Sequence, residues 1–166
     1  MAAGYEVPRI PASSGALIFD ARGRLLILKP SYKKGWTVPG GQIEPGGESP
    51  WEACRRETLE ECGLEVGAGR LVCVDFLRPK PGRPGGVRFL FDCGTFAEAV
   101  FAGVVLQAEE IEDHRLAELH EALELLSGPL RRRISQAAGR SDCLYLEDGR
   151  PVPGVTTADR EARGAR

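Results

Sequence analysis

Residues 40–64 read GGQIEPGGESPWEACRRETLEECGL, a glycine turn followed by an acidic loop and a segment with helical signals. Ser49 suits an N-cap, Pro50 suits the first helical position, and Glu52 completes a Ser-x-x-Glu capping box. Gly63 supplies the stop, because glycine readily enters the left-handed conformation that closes helices. The spacing therefore predicts a helix between Ser49 and Gly63, with Trp51, Cys54, Thr58 and Cys62 as a weakly apolar stripe for the core. Positions three and four apart share one helix face, so Glu57, Glu60 and Glu61 project together toward the glycine turn. Like charges held this close repel, and a hard divalent cation such as Mg²⁺ turns that repulsion into binding. The segment reads as a metal site for phosphate chemistry.

The chain around it has the balance of a soluble globular protein. Its 166 residues suit one domain with a substantial core. A net charge of −2 argues against wholesale nucleic-acid or membrane binding. The average hides a local excess, however. Six glutamates (44, 48, 52, 57, 60, 61) face two arginines (55, 56) within the quoted stretch. The five cysteines are an odd number with no CxxC pair, which points to reduced thiols in a cytoplasmic setting. With only two histidines and no CxxC pair, Cys/His zinc spacing is absent. No apolar run approaches the length of a membrane span, and the N-terminus shows none of the features of a signal peptide.

Residues 1–13 are expected to be a flexible N-terminal segment, 14–153 a single domain, and 154–166 a disordered tail. The runs 15–20 and 24–29 predict a hairpin turning at Ala21-Arg22-Gly23, and 36–38 a short strand ended by Pro39-Gly40-Gly41. Strands are also predicted over 71–77 and 87–91, joined by the Pro/Gly loop 78–86, with 100–106 continuing the sheet. The acidic stretch at Glu109, Glu110, Glu112 and Asp113 precedes predicted helices over 119–126 and 129–138. A late strand is expected over 142–147 with a turn at Asp148-Gly149. Arg131, Arg132 and Arg133 read as the wet face of the last helix, and His114 and His120 as ordinary surface or helix residues.

With those residues on the page, 40–64 resembles the Nudix box, the signature of hydrolases acting on nucleoside diphosphates linked to another group. The family pattern runs Gly, five residues, Glu, seven residues, then Arg-Glu-aliphatic-any-Glu-Glu-any-Gly-aliphatic. Gly41 and Glu48 take the first two places, and Arg56-Glu57-Thr58-Leu59-Glu60-Glu61-Cys62-Gly63-Leu64 the remainder. Two departures stand out. Six residues, not five, separate Gly41 from Glu48, an extra residue most simply assigned to Gly46 or Gly47, and Thr58 replaces an aliphatic side chain. Outside the box the order of strands and helices is similar, with a faint match over 110–116.

The resemblance implies an α+β Nudix fold, a mixed curled β-sheet sandwiched between the box helix on one side and the later helices on the other. It implies Glu57 and Glu61 as core metal ligands, assisted by Glu60 and the Gly40 carbonyl, with Arg56 orienting Glu48. The cofactor would be Mg²⁺, with Mn²⁺ able to substitute. Glu60 and Glu57 are candidates for the general base inside the box, and Glu109, Glu110 or Glu112 from the later loop. Lys29, Lys33, Lys34 and Arg78 are candidates to meet phosphates, and Trp36, Phe76 and Phe89 to stack on a base. Exposed cations are usually plain surface, and strand aromatics usually core. The partner implied is a small-molecule nucleotide, without a membrane or a stable nucleic-acid partner. A homodimer is left open.

Two functions compete. One is a Mg²⁺-dependent Nudix hydrolase cleaving the pyrophosphate linkage of a nucleoside di- or triphosphate derivative. The alternative is a non-catalytic Nudix-like nucleotide-binding or regulatory domain. Such domains usually lose metal glutamates or gain a DNA-binding module, whereas Glu57, Glu60 and Glu61 are all present here.

Overall fold

In the computed structural model, which describes residues 7–157, the two leading apolar runs form β1 (Ala12–Asp20) and β2 (Leu25–Pro30). They pair antiparallel, with Phe19 opposite Leu25. Asp20 fixes the turn: its carboxylate accepts from the Arg22 amide at 3.0 Å, the Arg24 amide at 2.8 Å and Arg24 Nε at 2.7 Å. β1 begins at Ala12, so the sheet takes in two residues that the sequence reading left in the N-terminal segment. Residues 1–6 of that segment and most of the expected tail, 158–166, lie outside the described residues.

Six further strands complete the sheet: β3 (Gly40–Gln42), β4 (Arg70–Leu77), β5 (Gly86–Phe96), β6 (Ile111–Ala117), β7 (Leu144–Glu147) and β8 (Arg150–Pro151). Their order is β6-β2-β1-β5-β4-β7-β8, with β3 added against β1. The β1–β5 and β4–β7 pairs are parallel and the others antiparallel, giving a mixed sheet. Helix α1 (Pro50–Cys62) follows β3, α2 (Glu98–Ala102) follows β5, and α3 (Leu119–Leu125) and α4 (Gly128–Ala137) follow β6.

Strand alternation splits the core in two. Ala16, Ile18, Leu26 and Leu28 pack with Cys54 and Cys62 of α1, while Leu17, Leu25 and Ile27 pack with Ala122, Leu126, Ile134 and Ala137 of the α3–α4 side. The sheet is thus clamped between α1 and the later helices. No helix among the described residues is long and apolar enough to cross a membrane.

Three expectations are corrected. Residues 100–106 do not extend the sheet; α2 and a loop stand there, because Phe101 is drawn into the core beside the Phe96 ring, at 6.5 Å between centroids. Residues 36–38 make only isolated bridges, Leu28 with Thr37 and Trp36 with Leu126, and the ladder begins instead at Gly40. The acidic stretch leads straight into a strand, β6, which the charges at Glu112, Asp113 and Arg115 concealed. As an edge strand, β6 buries Ile111 and Ala117 and turns its charges to solvent.

Candidate active site

Helix α1 starts and stops as its sequence dictates. Ser49 accepts from the Glu52 amide at 3.2 Å, and Glu52 accepts from the Ser49 amide at 2.8 Å. At the other end Gly63 adopts φ 70° and donates to Leu59 at 2.9 Å. Thr58, in the place of an aliphatic residue, is buried and donates its hydroxyl to the Cys54 carbonyl at 2.7 Å.

The glycine turn lies against this helix because neither glycine carries a side chain. A Cβ on Gly40, whose φ is 145°, would run into the Ser14 carbonyl of β1; one on Gly41 would sit on the Glu57 carboxylate. This closeness lets the Gly40 amide donate to Glu61 Oε2 at 2.7 Å. Glu57 and Glu61, one helical turn apart, then line a cavity of about 610 Å³. Glu110 reaches the same cavity from the loop before β6, as do Tyr32 and Lys33 from the loop after β2.

Burial dominates the electrostatics. Glu61 is 2% exposed, and desolvation pushes its pKa up to about 7 against the pull of the Gly40 amide. The charges of Glu57 and Glu110 push the same way, and Lys33 opposes them. Glu57 is likewise raised by burial, with Arg56 opposing. Burial lowers Lys33 while Glu61 raises it.

Arg56 ties loop to helix. Its Nε and Nη2 meet the two Glu48 oxygens at 2.7 and 3.1 Å, and Nη1 meets Glu57 at 2.9 Å and Glu60 at 3.0 Å. Nη2 also donates to the Gln42 carbonyl at 3.0 Å. Glu48 holds the loop end by accepting from the Glu44 amide at 2.7 Å. The Arg56 bonds, first of all, hold its carboxyl below the usual range. The extra residue in this loop is absorbed by Gly46 and Gly47, at φ 106° and 101° with open space around both, so Glu48 keeps its place.

A metal ion fits the donor set. Three carboxylates, Glu57, Glu61 and Glu110, face one cavity, and Lys33 is the cation that acts on Glu61, so a hard divalent ion would relieve the burial of like charge there. Among the described residues no three acidic, His or Cys side chains close into a ready-made cage.

The remaining candidates are scattered. Glu60 is exposed and off the cavity. Lys29 pairs with Glu112 at 3.0 Å, and Arg78 pairs with Glu147 and, at 3.5 Å, Asp148; neither cation lines the cavity. Glu109 accepts from Ser31 through its carbonyl at 2.9 Å. Of the aromatics, Phe89 lines the cavity, whereas Trp36 packs against the core with the Arg115 guanidinium 5.1 Å above it.

Arg88, Arg133 and Tyr32 line the cavity without having been singled out as candidates in the sequence. Arg133, expected on the wet face of its helix, is 7% exposed and bonds Asp75 from Nε at 2.9 Å. The signal was present: Leu130, Arg133, Ile134 and Ala137 share helical spacing. Arg88, in β5, had no such signal, since an arginine in a strand ordinarily faces water.

A model of the NUDIX domain matches residues 9–137, well over half of the chain. The chain belongs to the Nudix family. Nudix hydrolase 19, chloroplastic, from Arabidopsis thaliana is 32% identical over 146 residues, covering 84% of this chain and 32% of its own length. Diphosphoinositol polyphosphate phosphohydrolase 2 of Rattus norvegicus is 42% identical over 50 residues, 30% of this chain and 27% of its own. The chain thus spans about a third or less of the curated relatives it matches. Among solved structures, a MutT protein from Methanosarcina mazei superposes with a TM-score of 0.65 at 25% identity, covering 82% of this chain and all of that one. The NUDIX domain of Shewanella oneidensis NrtR, complexed with ADP ribose, gives 0.65 at 17% identity over 79% and 88% of the two chains. The Nudix fold expected from the box, a mixed sheet between helices, is the fold observed.

Proposed function

We propose that this Nudix protein is a Mg²⁺-dependent hydrolase that cleaves the pyrophosphate linkage of a nucleoside di- or triphosphate derivative. The observation that carries this is the convergence of Glu57, Glu61 and Glu110 on one cavity beside the Gly40–Gly41 turn. A cavity of about 610 Å³ is of the size that takes a nucleotide. Glu57 and Glu61 would hold the metal, with the Gly40 carbonyl and, from outside the cavity, Glu60 assisting. When bound, a divalent ion neutralises phosphate oxygens and lowers the pKa of an attacking water.

The chain's own groups do the rest. Arg56 holds Glu48, Glu57 and Glu60 in register. Glu110 faces the cavity from outside the box and is free of ion pairs among the described residues, so it is assigned to accept the proton of the water. Lys33 and Tyr32 stand at the same wall and meet the substrate's phosphates. The free cysteines among the described residues support a reducing, cytoplasmic setting.

The test is chromatographic detection of the two phosphate-bearing products from a panel of nucleotide derivatives with and without Mg²⁺, followed by the Glu61→Gln variant. We expect turnover of at least one compound, dependence on the cation, and a loss of about a hundredfold or more in E61Q with the fold intact. A panel left untouched with every cation would reject the reading.

A further inference from the structure

Part of the cavity carries two guanidiniums that the proposed hydrolysis leaves unused. Arg88 on β5 and Asp75 on β4 are register partners, so opposite charges stand side by side on one sheet face. Asp75 is nevertheless committed elsewhere. It is fully buried and accepts from Arg133 Nε and from the Gly149 amide, both at 2.9 Å.

Arg88 is left with carbonyls. Its Nη2 donates to Gly85 at 3.0 Å, and its Nη1 to Val87 at 3.2 Å and Pro11 at 3.5 Å. Among the described residues it has no ion pair. Its place is nonetheless built: Gly86, at φ 128°, leaves open the space its Nη1 fills, where a Cβ would come within 2.7 Å. The chain cradles a half-buried cation whose neighbouring carboxylate, Asp75, spends its hydrogen bonds on Arg133 and Gly149 instead.

Arg133 donates only from Nε among the described residues, which leaves the N–H groups of both Nη atoms unused. Both arginines line the cavity, and with Asp75 they sum to one uncompensated positive charge. Burial, and then the neighbouring Arg133, weigh against the charged form of Arg88, with Asp75 opposing them. An anion would add to that opposition and offset the cost.

We propose that this region binds a phosphate monoester of the substrate, distinct from the diphosphate that is cleaved, and that Arg88 is the residue selecting it. The inference deepens the nucleotide-hydrolase reading and rests on it for where the substrate lies. Two planar forks offering only donors match phosphate oxygens. A base carbonyl edge would satisfy N–H groups and leave the charge unbalanced. A sugar hydroxyl could accept but would likewise leave the charge unbalanced, and an exocyclic amine would set donors against donors.

The experiment is calorimetry in metal-free buffer, which needs no turnover and so stands apart from the hydrolysis assay. AMP is compared with adenosine 2′,5′-bisphosphate and adenosine 3′,5′-bisphosphate, each differing from it by one phosphate monoester. We expect one bisphosphate to bind about tenfold or more tightly than AMP. Arg88→Gln should bring the two within about twofold, and Arg88→Lys, which keeps the charge without the fork, should fall between. Inorganic phosphate titrated alone separates the sources: binding far weaker than the bisphosphate's supports a substrate phosphate. Binding as tight would assign the site to free phosphate and overturn the proposal. So would equal affinity for AMP and both bisphosphates, or a preference that survives in R88Q.

Discussion

Arg56 grips Glu48 with both arms of its guanidinium, Nε to Oε1 at 2.7 Å and Nη2 to Oε2 at 3.1 Å, across eight residues of sequence. The pair is partly buried, and the same guanidinium reaches Glu57 and Glu60. One side chain therefore fixes the loop end and the carboxylates of the helix together. Glu48 in turn keeps Arg56 firmly protonated, with its pKa raised above the usual value.

Lysine cannot reproduce that fork. Arg56→Lys should keep the positive charge yet lose the parallel bonds, lowering unfolding free energy by about 1–3 kcal/mol. Urea denaturation of R56K, of Glu48→Gln and of the double variant should give a coupling above about 0.5 kcal/mol. Strict additivity would mean that the clamp contributes nothing.

The two turn glycines should fail differently. Gly40→Ala forces a Cβ into the Ser14 backbone at φ 145°, where nothing can give, and should lower the melting temperature sharply. Gly41→Ala meets only the mobile end of Glu57. It should melt close to the parent while Mg²⁺ activation weakens about tenfold or more. Thermal melts and a metal titration of both variants check this, and equal melting of the two would contradict it.

Removing Arg133 strands a charge. Arg133→Met leaves Asp75 fully buried without its cation and should cost about 3–5 kcal/mol. Adding Asp75→Asn should return much of the loss, because a neutral amide tolerates that site better. Denaturant melts of the single and double variants read this directly.

Acid should loosen the first hairpin. Burial alone would raise the Asp20 pKa, but bonds from Arg24 and Arg22 outweigh it and set the folded value below the ordinary 3.8. Because the folded pKa is the depressed one, Asp20 contributes stability above the unfolded pKa and loses it as pH falls through the folded pKa. The stability gap between the parent and Asp20→Asn should be full near pH 7 and shrink below about pH 4. A gap constant down to pH 2 would contradict the assignment.

Much of this was legible from local signals. The capping box, Gly63 and the hairpin at Gly23 declare themselves within a few residues, and each formed as expected. β6 was hidden because an edge strand tolerates charges that mimic a loop. The 100–106 segment misled because apolar runs of that length suit a strand or a buried turn of helix equally. Arg133 and Arg88 were misread or missed for a different reason. Their partners Asp75 and Pro11 are distant in sequence, and no local spacing reveals a cavity.

The family match stops at 137, yet the domain does not. β7 runs parallel to β4, the Asp148 amide donates to the Phe76 carbonyl at 3.0 Å, and the Gly149 amide holds Asp75. A chain cut where the family likeness ends would bare the flank of β4 and leave Asp75 short of a donor. The final hairpin is the keystone of this side of the sheet, and any shortened version should retain it.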